Sequence, residues 1–265
     1  MDEAQRLHTF ARRTCLLRHG EWSSRYAELP ERTGYEYSDA AYSIFPRYIV
    51  DDAVLAAIET LDFDRLPPVG TLRPKLIEAA LFAGSDSTKP SGNSIHERAM
   101  TEEREALADL FSKATSASVA NVEPLPYRRV LSQEEFATVC QRLAEVWGAT
   151  GGYWYPLHSR THPSLIAFEL ARIDRPRLEA ALDGFLRAAG AARMFEIREW
   201  GESYLTEAAA HDFDYTGAEG FFTDPDFRWI VYCSHESTIT LGGEIAAVAP
   251  PDFERIVDTP FHLPR

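Results

Sequence analysis

The chain has 265 residues, 45% of them hydrophobic and 12% aromatic, with a formal net charge of −14. That length suffices for one large core or two modest ones, and the apolar content argues against long disorder. The acid excess argues against general binding to nucleic acid or anionic membrane, both of which require basic surface.

No stretch approaches the ~20 apolar residues of a membrane-spanning helix. The start, Met1-Asp2-Glu3-Ala4-Gln5, lacks the basic and then apolar pattern of a signal peptide. Cys15, Cys140 and Cys233 are far apart in apolar contexts and read as reduced, buried thiols of a cytoplasmic protein. No Cys–His spacing suggests a zinc site, and neither metal nor cofactor is expected.

In chain order, residues 4–18 read as a helix running into the apolar Thr14–Leu17. A loop rich in Gly, Pro and Tyr follows to about Ser43. Ile49–Leu61 carries Val50, Val54, Leu55, Ile58 and Leu61 at helical spacing, with Asp51 and Asp52 in its first turn. Leu72–Phe82 is a second helix with Pro74 near its start. Residues 84–94 form a polar loop, Ile95–Ala114 a third helix, and 114–126 a linker.

Beyond the linker, Tyr127–Val130 reads as a short strand. Ser132 with Glu135 forms a capping box that opens a helix through Trp147, ended by Gly148, Gly151 and Gly152. Tyr153–Leu157 is expected to be strand-like, Ser159–Pro163 a turn, and Ser164–Leu170 is ambiguous. Asp174–Ala189 is a helix stopped by Gly190, and Ala192–Trp200 a strand. Asp212–Thr223 is an acidic loop or strand edge. Trp229–Tyr232 and Thr238–Leu241 are the clearest strands, broken by the polar Ser234-His235-Glu236, with Gly242-Gly243 as a turn at the strand end. The expectation is an α/β (α+β) protein: a helix-rich part at 1–120, and a part at 127–265 with helices around a mostly antiparallel sheet.

Three features could carry function. Leu16-Leu-Arg-His-Gly-Glu21 resembles the signature of the histidine phosphatase family, whose first strand ends in Arg-His-Gly. The resemblance implies a phosphomonoester hydrolase with His19 as nucleophile, Arg18 and Arg73 clamping phosphate, His235 as companion and Glu97 or Glu103 as acid. The segment Trp229–Gly243, with Tyr215–Phe222 ahead of it, resembles the C-terminal pattern of uncharacterised bacterial immunity-type or accessory proteins. That implies binding to a basic toxin and assigns no catalytic residue.

The residues themselves support a binding role. Nine carboxylates lie between Glu196 and Asp226 against Arg198 alone, interleaved with Trp200, Tyr204, Tyr215, Phe221 and Phe222. Such a face suits a basic protein partner, with Glu202, Glu207, Asp214, Trp200 and Tyr215 in contact. The cluster Tyr127-Arg128-Arg129 and Tyr153–His162 could instead line a ligand pocket through Trp154 and Arg128. Pro156 and Pro163 argue against a helical metal pair of His158 and His162.

Overall fold

The computed structural model describes residues 1–29, 37–149, 154–159, 164–210 and 213–256. Its contacts divide the chain into two compact units, Met1–Leu125 and Pro126–Arg265.

The first unit is helical. Asp2 and Gln5 form a capping box that opens α1 (Glu3–Ala27). Ser38 caps α2 (Asp39–Glu59), and α3 spans Val69–Phe82. Asn93 caps α4 (Ser94–Lys113), and a single turn, α5 (Ser116–Val119), lies within the expected linker. The core is assembled from apolar rows at i, i+4 spacing: Leu7, Ala11 and Cys15; Val50, Val54 and Ile58; Leu72, Leu76 and Ala80; Leu107 and Phe111. Two helices extend beyond the sequence reading. α1 continues through Arg18-His19-Gly20 to Ala27, and α2 starts ten residues before Ile49 and runs through Pro46. A proline there removes one helical hydrogen bond, a loss the surrounding tertiary packing outweighs.

The second unit is a seven-stranded antiparallel sheet with helices against both faces, which makes the protein α+β. Its elements are β1 (Arg128–Val130), α6 (Gln133–Trp147), α7 (Pro156–Ser159), β2 (Ile166–Glu169), α8 (Arg175–Ala188), β3 (Arg193–Arg198), β4 (Tyr204–Glu207), β5 (Gly220–Thr223), β6 (Trp229–Cys233) and β7 (Thr238–Gly243). The strand order is β1-β4-β3-β5-β6-β7-β2, so β3–β7 are internal while β1 and β2 form the edges. Ser132 and Glu135 make the expected capping box on α6, and Asp174 caps α8.

Both helices explain why β6 is apolar at every position. Trp229, Val231 and Cys233 face the layer of Leu178, Leu182 and Leu186 on α8, whereas Ile230 and Tyr232 face Val139, Leu143 and Trp147 on α6. A strand buried on both faces shows no alternation.

Three sequence expectations are corrected here. Trp154 and Tyr155 lie outside any strand, and Pro156–Ser159 is a helical turn, with Pro156 at its first position where a missing N–H costs nothing. The acidic segment contains two strands, β4 and β5. Gly242 and Gly243 belong to β7 rather than to a turn, pairing with Ile230 and Trp229. Tyr153, Arg160 to Pro163, Gly151, Gly152 and Asp212 lie outside the described residues, as does the His158 side chain.

Gly243 has φ +69°, and a Cβ there would stand 2.2 Å from the Arg228 carbonyl oxygen and 2.8 Å from the Trp147 ring. Gly243→Ala therefore forces the β6–β7 backbone apart in addition to straining its own dihedral. The expected loss is about 3 kcal/mol or more, read as a lowered urea midpoint. An unchanged midpoint would show that β7 does not approach Arg228 this closely.

Candidate functional site: the loop end of the sheet and a buried carboxyl cluster

The strand register collects several loops at one end of the sheet. Arg198 at the end of β3 lies opposite Gly220 at the start of β5, which lies opposite Cys233 at the end of β6, itself opposite Ile239. The β3–β4 loop (199–203), the approach to β5 (213–219) and the β6–β7 turn (234–237) therefore meet at this end. A bond from Glu199 N–H to the Glu219 carbonyl, 2.9 Å, ties the first two together.

The β6–β7 connection is a tight turn. Ser237 N–H donates to the Ser234 carbonyl at 3.2 Å, and Ser237 takes the left-handed conformation at φ 58°. The Ser234 and Thr238 hydroxyls bond each other at 2.8 Å, which settles the buried polar group of Ser234. The turn leaves His235 and Glu236 projecting into solvent, with side chains 44% and 37% exposed.

Behind them lies Glu219, a carboxylate with only 1% exposure. It accepts from the Tyr232 hydroxyl and stands 2.6 Å from Nδ1 of His235. On the far side of the ring, His235 Nε2 lies 3.3 Å from a Glu236 carboxylate oxygen. Hydrogen bonding to Glu219 raises the affinity of His235 for a proton, aided by the Glu236, Glu219 and Glu199 charges. Tyr232 is held neutral well above the usual phenol range, first by burial and then by its bond to Glu219.

The same end carries exposed aromatics. Trp200 is 67% exposed and Tyr215 39%. Glu199 and Glu202 flank Trp200, and Glu202 is exposed.

The acidic segment is less of a surface than its composition implies. Glu196, Glu219 and Asp224 are buried. Glu196 pairs with Arg128 at 3.3 Å and Asp224 with Arg228 at 2.7 Å. Glu207 accepts the Tyr127 N–H at 3.1 Å, and Asp214 pairs with Arg175 at 3.0 Å. Arg128 stacks on Tyr204, 3.7 Å from the ring centre. Trp154 is 5% exposed and packs on Phe221 and Tyr232 with ring centres 5.8 and 5.3 Å away, so it is a core residue. Of the binding residues expected from sequence, Trp200, Tyr215 and Glu202 stand at the loop end. Glu207, Asp214, Arg128 and Trp154 hold the sheet together.

The residues of the Arg-His-Gly resemblance lie elsewhere and in a different setting. Arg18 and His19 sit inside α1, not at a strand end. Arg18 pairs with Glu103, and His19 Nδ1 contacts Asp52 at 2.8 Å. Arg73 donates to the Phe111 carbonyl near the end of α4 at 2.8 Å. Glu97 accepts the Gly92 N–H at 3.1 Å just before α4. Arg18 and Arg73 thus each have a structural partner within the first unit, and His235 belongs to the second.

Sequence reading also missed a buried carboxyl cluster in the first unit. Glu103, fully buried on α4, accepts from Arg18 and from the Trp22 indole at 3.0 Å, with Arg47 3.5 Å away. Beside it Asp51 on α2 is fully buried, and neither carboxyl oxygen has a hydrogen-bond partner in good geometry. Burial first, and then the Glu103 charge, push its pKa up to about 9, so it is neutral at pH 7. The i, i+4 spacing of Val50 and Val54 already put position 51 next to the buried stripe, but the aspartate read as a first-turn dipole residue.

Comparison with protein-family models, curated proteins and solved structures finds no match for this chain. Among the described residues, no helix is long and apolar enough to cross a membrane.

Proposed function

We infer that the protein is a cytoplasmic binding protein whose second unit engages a basic protein partner through the loop end of its sheet, in the manner of an immunity-type protein. The observation that carries this reading is Trp200, a large indole left 67% exposed on the β3–β4 loop. It is bordered by Glu199 and Glu202 and shares the sheet end with Tyr215, His235 and Glu236. An exposed aromatic anchor inside an acidic rim is the arrangement by which interfaces combine hot-spot burial with electrostatic steering. The net charge of −14 extends the attraction for cationic surfaces. Three free thiols, Cys15 and Cys233 buried and Cys140 partly so, fit a reducing compartment.

The test is capture of proteins from the native cell extract, quantified by mass spectrometry across a salt series. Wild type should retain a basic protein that elutes as salt rises. Trp200→Ala should weaken retention by at least tenfold, and Glu202→Lys should slow capture. Both changes lie on exposed positions and should move stability by only about ±0.5 kcal/mol. Equal recovery by all three proteins, or no specific recovery by any, would sink the reading.

A further inference from the structure

We propose that His235 and Glu236 form a binding site for a divalent transition-metal ion of the zinc class, with the buried Glu219 as the residue that positions His235. Ligand atoms of Glu219, His235 and Glu236 all lie within 4.8 Å of one another. The arrangement of the two ring nitrogens decides which atoms do what. Nδ1 is committed to the Glu219 carboxylate at 2.6 Å. With Nδ1 held on a buried carboxylate, Nε2 is the ring nitrogen presented to a metal, the arrangement that orients metal-ligating histidines.

Nε2 lies 3.3 Å from the Glu236 oxygen. Two ligand atoms bound to zinc at about 2.1 Å on adjacent vertices of a tetrahedron stand about 3.4 Å apart. The turn therefore already holds nitrogen and oxygen at the bite of one ion. The remaining vertices open outward, because both side chains are more than a third exposed. Water, or a donor from a bound molecule, would complete the shell.

Charge points the same way. Among the described residues, neither Glu219 nor Glu236 forms a salt bridge to arginine or lysine; each has only His235. Glu219 is 1% exposed and its partners are a phenol and an imidazole, so positive charge on the ring side stabilises it. A divalent cation on Nε2 supplies that charge through the ring. The metal site stands whether or not a protein docks at the same rim.

Isothermal titration of the full chain, free of any affinity tag, with zinc chloride tests this directly. One ion per chain should bind. His235→Ala and His235→Gln should abolish that binding, and Glu236→Gln should weaken it. Glu219→Gln should weaken it about 10–100-fold, the usual effect of removing an orienting partner. His19→Ala, which removes the other described His–carboxylate contact, should bind as wild type does. Nitrogen NMR of the wild-type imidazole supplies a readout independent of variant folding: zinc should shift Nε2 of His235 and leave Nδ1 protonated. Unchanged titration in His235→Ala, or zinc that leaves the His235 nitrogens unmoved, overturns the proposal.

Discussion

Asp51→Asn is expected to raise the melting temperature at pH 8 and to leave it nearly unchanged at pH 4. Asp51 is fully buried, and its pKa is pushed up to about 9. In the unfolded chain an aspartate ionises near its ordinary value of about 3.9. Between those two values the folded state binds the proton and the unfolded state has lost it. Stability from this group is therefore fully present below about pH 4 and falls as pH rises towards about 9. Wild-type stability is lost progressively as pH rises through that window. Asparagine keeps the shape of the protonated acid and cannot ionise, which removes that loss. Thermal unfolding of both proteins from pH 4 to pH 9 reads the difference. A gain of the same size at every pH would mean that Asp51 titrates normally and that the asparagine acts through packing alone.

Val231→Asp is expected to abolish cooperative folding of the second unit. Val231 is fully buried at the middle of β6, opposite Phe222 on β5 and Leu241 on β7. Its side chain joins the layer under α8, with Leu178, Leu182 and Phe168. A carboxylate there has no cation within that apolar cluster, and burying an unpaired charge costs several kcal/mol even after the group takes up a proton. That is comparable with the whole stability of a typical domain, about 5–15 kcal/mol. Val231→Ala, which only opens a small cavity, should cost about 1–3 kcal/mol and still fold. Urea unfolding followed by tryptophan fluorescence separates the two cases, since Trp229 is the neighbour but one and fully buried. A soluble Val231→Asp protein with a wild-type midpoint would refute the placement of β6.

The parts of the fold that were readable from sequence are those where local signals agree with the tertiary outcome. Ser132 with Glu135 announces α6, Asp174 announces α8, and the β-branched and aromatic runs announce β6 and β7. The unread parts are those where tertiary structure overrides local preference. Pro46 suggests an end to helix where α2 passes straight through it. Composition conceals β4 and β5 inside an acidic stretch, because Glu196 and Glu219 are internal acids held by Arg128 and His235 rather than surface charges. The loop-end cluster drew attention as three polar residues interrupting strands. Its partner Glu219, sixteen residues earlier, could be found only from the pairing of β5 with β6. The Asp51–Glu103 cluster joins α2 to α4, and beyond the place of Asp51 beside the Val50–Val54 stripe the sequence does not show that the two acids meet.

The strand order has a consequence for the open margins of the sheet. An open sheet presents unpaired backbone at its two margins, and long flat margins recruit other chains into aggregates. Here both are blunted. β1 is only three residues long, and Arg128 and Arg129 on it are tied to Glu196 and Glu135, so it offers little margin to pair with. β2 is four residues long, and the chain itself returns to it: Ile256 N–H donates to the Ala167 carbonyl at 2.8 Å, capping an outward-facing group on that margin. The apolar, aggregation-prone sequence of β6 is confined to the interior of the sheet, two strands from the nearer margin.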